Sequence, residues 1–509
     1  MSGETLTIGV LPLGRPTFDV AFAEEMLAGM MADLRASGHR LIGPEKLLMD
    51  ADATQAAMTD IKAEKPDRIL ILQVTFTDAA LTCRIADTFP QPLAIWAVPE
   101  PRLGGRLRLN AFCGLNLASH ALGLRNRLFS WRYAAPHTSG IEALLTEEPM
   151  VCPLISQITD ADPEYGGALL DGLRGRTIAR IGAHPDGFDT CAYDSARLAD
   201  LIGMTVTGFE LADLFDRARA APEAAATGLK TELSANLAGL DQVDQTQLDR
   251  SLRLKLALDG MKAEGGFDAF AIRCWPETFT EYGGAVCGPA SMMGEGRVPC
   301  ACEADVYGAA TQLLLQAASD QPVFLVDLVD LDSSDDTGVV WHCGQAPMSM
   351  AEPEAIARAT IHTNRKMPLL FEFPLKPGPV TFVRLSQARG QQSLIIARGE
   401  MLKRDMAFTG TSGVVRFDRP ARGGAHAGHR QRARAPHGAC LWRPCGGAGK
   451  LCRCRLPAGH PPLEFLRTSG LCHGRHQIRH HRLRHDGAGT YPHDRIAGGR
   501  AGDRCERSG

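Results

Sequence analysis

Four short runs constrain the fold more than anything else in this chain: "DRILILQVTF" (67–76), "PLAIWAVPE" (92–100), "FDAFAIRCW" (267–275) and "PVFLVDLVDLD" (322–332). Each is nearly continuously apolar rather than alternating. A strand of that kind must be covered on both faces. Between such runs lie stretches whose apolar residues recur at helical spacing, such as "FDVAFAEEMLAGMMADLRASG" (18–38), "LNAFCGLNLASHALGL" (109–124) and "QTQLDRSLRLKLALDGMKAEGG" (245–266). Strand, helix and strand in this rhythm predict βαβ units around parallel sheets. At 509 residues the chain exceeds what one hydrophobic core supports. The spacing places a first α/β domain at 1–150 and a second at 151–365. From 366 to 419 short alternating runs broken by glycine predict a β-rich third domain, truncated at its end. No internal repeat and no phosphate-cradling glycine loop is evident.

Charge marks a further boundary. Residues 420–509 hold sixteen Arg and one Lys against three Asp and two Glu, a net +12, whereas residues 1–419 carry −15. Ten of the 16 histidines and six of the 15 cysteines also fall in this last segment. A break this sharp separates an ordinary globular body from an unusual basic tail. The start "MSGETLTIGVLPLG" lacks the basic and apolar regions of a secretory leader, and no apolar run reaches the ~20 residues of a spanning helix. The expectation is a cytoplasmic protein that does not enter a membrane. The nine body cysteines show no paired CxxC spacing and are expected to be reduced core residues.

Polar residues on otherwise apolar elements are the candidates for chemistry. Glu303 follows "VPCAC" and is expected to open a helix. Asp327 follows "VFLV", where a parallel strand would deliver it to the carboxyl edge of its sheet, the usual ligand edge of α/β folds. His342 follows "GVVW". Two carboxylates and an imidazole suit a divalent cation such as Mn²⁺, Mg²⁺ or Co²⁺. Each has a plainer reading: a helix N-terminal carboxylate, one solvated acid among several, and a core histidine. Spacing alone does not choose.

The stretch "GGAVCGPASMMGEGRVPCACEADVYGAATQLLL" (283–315), followed by "PVFLVDLVDLD" and "GVVWHCGQAPMSM" (338–350), resembles the L-fucose isomerase and L-arabinose isomerase superfamily, in its L-fucose isomerase-like branch. Further co-linear matches are "IGVLPLGRPTFD" (8–19), "LAIWAVPEPRLGGRLRLNAFCGLNLASHALG" (93–123), "AIRCWPE" (271–277) and "FTGTSGVVRF" (408–417). Together they span roughly residues 5–417. The resemblance implies a homo-oligomeric enzyme that interconverts an aldose and a ketose through an ene-diol stabilised by a metal, typically Mn²⁺. It implies that Glu303 and Asp327 are metal ligands and the acid/base pair. It places His342 near the sugar and Arg15 as an arginine lent to a neighbouring subunit's site, the plainer reading of Arg15 being a surface arginine in a loop. Trp275 would line the pocket or pack beneath it.

The same resemblance implies a third ligand, a histidine in a C-terminal stretch of the type G-L-E-H-H followed by Y-G-D-H, which residues 420–509 lack. The genetic code offers a reason. Arg432 to Cys452 can be written in permitted codons which, read one base later, give GLEHHMALAYGDHVAELESF. The third bases are free in that exercise. The first bases are not, and Trp442 followed by Arg443 must shift to glycine. The expectation is a reading frame lost at about Pro420 to Arg422. On that basis the chain could be an active isomerase or a sugar-binding protein that has lost its chemistry. A third possibility is a tail that neutralises nucleic-acid phosphates. Few aromatics, little apolar periodicity and cysteine spacings that fit no zinc finger weigh against this last reading.

Overall fold

The computed structural model describes residues 5–149, 162–388 and 390–418 and the backbone of 439–442. These residues belong to one compact unit, Met1–Arg467. The boundaries expected near 150 and 420 fall on residues outside the described set.

The first sheet contains β1 (Thr7–Leu13), β2 (Arg40–Ile42), β3 (Arg68–Gln73), β4 (Leu93–Ala97) and β5 (Ser130–Tyr133). Its order is β2-β1-β3-β4-β5, and every pairing is parallel. All residues of β3 and β4 are buried, as their unbroken apolar runs require. Helices α1 (Val20–Ala36), α2 (Ala51–Ala63), α3 (Ala79–Thr88) and α4 (Ala111–Leu124) connect or cover these strands. Local sequence fixes where three of them start: Asp19, Asp50 and Asp78 each accept a backbone N–H from the first turn of α1, α2 and α3.

The second sheet, of β6 (Thr177–Ile181), β7 (Thr205–Phe209), β8 (Ala269–Ile272) and β9 (Cys300–Ala301), is also parallel, in the order β7-β6-β8-β9. The long helix Gln245–Gly265 feeds β8 and stops at Gly266, whose φ of +66° lets the chain leave the helix in the left-handed conformation.

The third sheet holds β10 (Phe324–Asp332), β11 (Thr337–His342), β12 (Arg358–Thr360), β13 (Leu370–Pro374), β14 (Gly378–Ser386), β15 (Ser393–Met401), β16 (Thr411–Phe417) and β17 (Ala439–Trp442). Its order is β11-β10-β17-β14-β15-β16-β13-β12, and an added β11–β16 pairing closes six of these strands into a ring. The tail contributes β17, whose backbone fills the place between β10 and β14. The remainder of 420–509, and with it the frame question, lies outside the described residues.

One strand departs from the sequence reading. "PVFLVDLVDLD" does not extend a parallel sheet, because β10 runs antiparallel to β11 in the third sheet. Its apolar run correctly reports two covered faces. Phe324, Val326 and Leu328 join Val380 and Phe382, while Val323 and Leu325 join Val306 and Tyr307. Burial says nothing about the direction of a neighbouring strand. Nor are the acids of this run all solvated: Asp330 is buried, bonded to Arg102 Nε and Tyr133 Oη at 2.5 Å each, which ties β10 to β5 and to the segment after β4 in the first sheet.

Among the described residues no helix is long and apolar enough to cross a membrane.

Candidate active site

One pocket collects all five residues singled out in the sequence: Arg15, Trp275, Glu303, Asp327 and His342. They arrive from all three sheets. Arg15 lies just beyond β1, where its backbone N–H donates to Thr75 Oγ1 at 2.9 Å and its guanidinium to Asp78 at 2.6 Å. It lines the pocket of its own chain, whereas the resemblance pointed to a neighbour's site. Trp275 follows β8 and meets the Phe188 ring edge-on, with centroids 5.4 Å apart.

Glu303 sits just past β9 and is held in a left-handed turn with φ +56°. It precedes the helix Val306–Ser319 rather than opening it. The N-cap is Asp305, whose Oδ1 accepts the Gly308 N–H at 2.8 Å. The reading of Glu303 as a simple helix-dipole carboxylate therefore gives way to one in which the turn aims it into the pocket. That turn is clamped from β14. Both Arg384 and Asp305 have side chains only 3% exposed, and Arg384 Nη2 donates to Asp305 Oδ1 at 3.1 Å and to the Thr190 carbonyl at 2.7 Å. The second guanidinium nitrogen, Nη1, bonds Asp305 Oδ2.

Asp327 lies within β10, opposite Trp341 of β11 and not at a sheet edge, yet it still reaches the pocket because β10 passes beside it. His342 ends β11 and is buried. Its Nδ1 accepts the Cys343 backbone N–H at 2.9 Å. In the neutral ring the hydrogen then resides on Nε2, and protonation leaves it there, so His342 presents a donor rather than a metal-binding lone pair. Among the described residues Nε2 has no hydrogen-bond partner.

Burial, and then the nearby charge of Asp327, push the Glu303 carboxyl up to about 8. Burial opposes a charge on His342, whereas the Cys343 sulfur and the Asp327 and Glu303 carboxylates favour one. Cys343 is drawn well below the usual thiol range by bonds from Cys287 and Cys302. The Cys287 and Cys343 sulfurs are 3.7 Å apart, and all eight described cysteines are free and buried.

Two neighbouring carboxylates whose like charges repel, Asp327 buried and Glu303 half-buried, are a natural seat for a divalent cation, whose charge would relieve the repulsion and which their hard oxygen donors suit. They fit as two ligands. Among the described residues no group of three or more His, Cys, Asp or Glu side chains is placed to hold a metal.

The pocket also contains residues that sequence reasoning missed: Asn110, Phe188, His362, Asn364 and Arg365. Among the described residues the buried Oδ1 atoms of Asn110 and Asn364 have no hydrogen-bond partner. Orphaned buried acceptors are costly unless a ligand supplies the donor. The available signal was the polar loop "HTNRK" (362–366) between strand-like runs, which carries no hydrophobic period.

Residues 9–152 match the family model described as the fucose/sulfoquinovose isomerase N-terminal domain. A sulfoquinovose isomerase of Alkalicoccus urumqiensis is 30% identical over 421 residues, covering 82% of this chain and 90% of its own. Those of Priestia megaterium and Priestia aryabhattai are each 29% identical over 410 residues, covering 80% of this chain and 88% of theirs. A solute-binding protein of an ABC transporter from Burkholderia multivorans aligns at 12% identity with a TM-score of 0.18, over 63% of this chain and 95% of its own.

Proposed function

The chain belongs to the fucose/sulfoquinovose isomerase family, and from that premise we propose that its pocket interconverts an aldose and a ketose through an ene-diol, on a sugar of the sulfoquinovose type. Sulfoquinovose is a glucose whose 6-hydroxyl is replaced by a sulfonate. The reading rests chiefly on one observation: two carboxylates, the buried Asp327 and the half-buried Glu303, share a pocket with buried polar atoms of Asn110, Asn364 and His342 that have no hydrogen-bond partner among the described residues. A polyol carries the hydroxyls that such atoms require.

In the proposed reaction an open-chain aldose loses the proton on C2 and gains one on C1, while an oxygen-bound proton passes from O2 to O1. Glu303 is suited to carry the carbon-bound proton, because burial and Asp327 make its carboxylate unusually basic. Asp327 is its partner for the transfer between oxygens. His342 Nε2 donates to a sugar oxygen, and Arg15 and Trp275 hold the remainder of the substrate. A divalent cation such as Mn²⁺, Co²⁺ or Mg²⁺, held by Glu303 and Asp327, would supply polarisation of the carbonyl and its neighbouring hydroxyl. Homo-oligomeric assembly belongs to the same proposal.

A second reading is favoured by the lack of a third metal donor among the described residues: a protein that binds the sugar without isomerising it. Incubation with sulfoquinovose and Mn²⁺ in D₂O, followed by NMR, separates the two. Deuterium at C2 supports the isomerase; sugar-induced shifts without exchange support the binding protein; neither effect would remove both.

A further inference from the structure

A second charged group in the pocket has no role in the proton transfers. Arg365 lies in the loop between β12 and β13, half-buried, and lines the pocket. Among the described residues its guanidinium has no carboxylate partner and no hydrogen bond. It lies over the Trp275 ring, 5.6 Å from Cζ to the centroid. Arg15 approaches the same ring at 5.8 Å. Two like charges thus converge on one indole, and each raises the cost of burying the other. Burial and then the nearby Arg15 lower the pKa of Arg365, a sign of that cost. Arg15 spends part of its donor set on Asp78, which leaves further N–H groups free.

The loop is built to hold Arg365 in place. The backbone N–H groups of Asn364 and Arg365 both donate to His362 Nδ1 at 3.2 Å, and the Lys366 N–H donates to the His362 carbonyl at 2.7 Å. The His362 ring packs against Phe279, with centroids 5.2 Å apart. Half-burying an unpaired guanidinium on a rigid turn destabilises the free protein unless an anion is meant to arrive there. The forked donors of arginine match the oxygens of such a group.

We infer that Arg15 and Arg365, with Trp275 between their charges, form an oxyanion subsite that selects sugars carrying a terminal sulfonate. The inference rests on the sugar reading of the pocket and adds to it which residues set specificity. Other terminal oxyanions share the chemistry, so the test compares them.

The test is calorimetric titration of the full chain with sulfoquinovose, glucose 6-phosphate, glucuronate and glucose. The expectation is that sulfoquinovose binds at least about tenfold more tightly than glucose. Arg365→Met should abolish most of that ratio, and Arg365→Lys, which keeps the charge but loses the fork, should retain part of it. Phosphate or carboxylate sugars binding more tightly than sulfoquinovose would overturn the sulfonate assignment. An undiminished ratio in Arg365→Met, with an unchanged thermal midpoint, would overturn the subsite itself, as would equal affinity of the wild type for glucose and sulfoquinovose. If Arg365→Met unfolds, Arg365→Lys and the wild-type ratio still decide. Failure of the isomerase reading shows separately, as tight sulfoquinovose binding without C2 exchange.

Discussion

Replacing Arg384 by Met should be among the most damaging substitutions outside the pocket. Met keeps much of the apolar stem and removes only the guanidinium. Asp305 would then keep its cap bond to Gly308 but face the interior as an unpaired charge, its side chain 3% exposed. The Thr190 carbonyl would also lose its donor. Removing one partner of a buried pair costs roughly 3–5 kcal/mol, because the other charge is left without compensation. Asp305→Asn with Arg384→Met should cost less than Arg384→Met alone, since no bare charge remains. The Arg404–Asp335 pair, with side chains 39% and 33% exposed, is the control. Arg404→Met should cost no more than ~1 kcal/mol. Urea denaturation followed by circular dichroism measures all four proteins. A loss under ~1 kcal/mol for Arg384→Met, or a double mutant worse than the single, would refute the claim that this pair clamps the Glu303 turn.

Three further expectations follow from the site. Without a cation, folded Glu303 keeps its proton up to about pH 8, whereas in the unfolded chain it releases it near 4.5, so the folded state binds more protons in between. Its contribution therefore lowers stability as pH rises through that window; the wild type should lose more stability than Glu303→Gln between about pH 5 and about pH 9, and equal losses would contradict the raised pKa. Mn²⁺ titrated into the chain at neutral pH should bind weakly and release protons, and Asp327→Asn should weaken it by at least about tenfold; tight stoichiometric binding, or no effect of Asp327→Asn, would contradict a two-carboxylate seat. Sequencing the coding DNA across residues 415–509 should restore the G-L-E-H-H stretch one base over; third bases that spell anything else dispose of the lost frame.

Much of the scaffold was legible because it rests on local, periodic causes. The buried runs of β3 and β4, the aspartate caps of the first three helices and the glycine stop at Gly266 are each written within a few residues. The direction of β10 was not legible, since an apolar run records coverage and not the register of its neighbours. Glu303 and Asp327 were found as polar residues on apolar elements, a contrast that sequence carries. Arg365 and Asn364 were missed because they lie in a short polar turn whose meaning depends on the Trp275 ring some ninety residues away. The Arg384–Asp305 clamp was hidden for the same reason: a residue 79 positions away completes it. The resemblance to sugar isomerases linked these separated stretches before any geometry did.

Solvent-proton exchange at C2 of sulfoquinovose tests the central claim most directly. With the full chain, Mn²⁺ and D₂O, deuterium should enter C2 of the aldose as the ketose appears, and Glu303→Gln should stop it. Sulfoquinovose that binds in the pocket yet keeps its C2 proton would contradict the isomerase and leave a binding protein in its place.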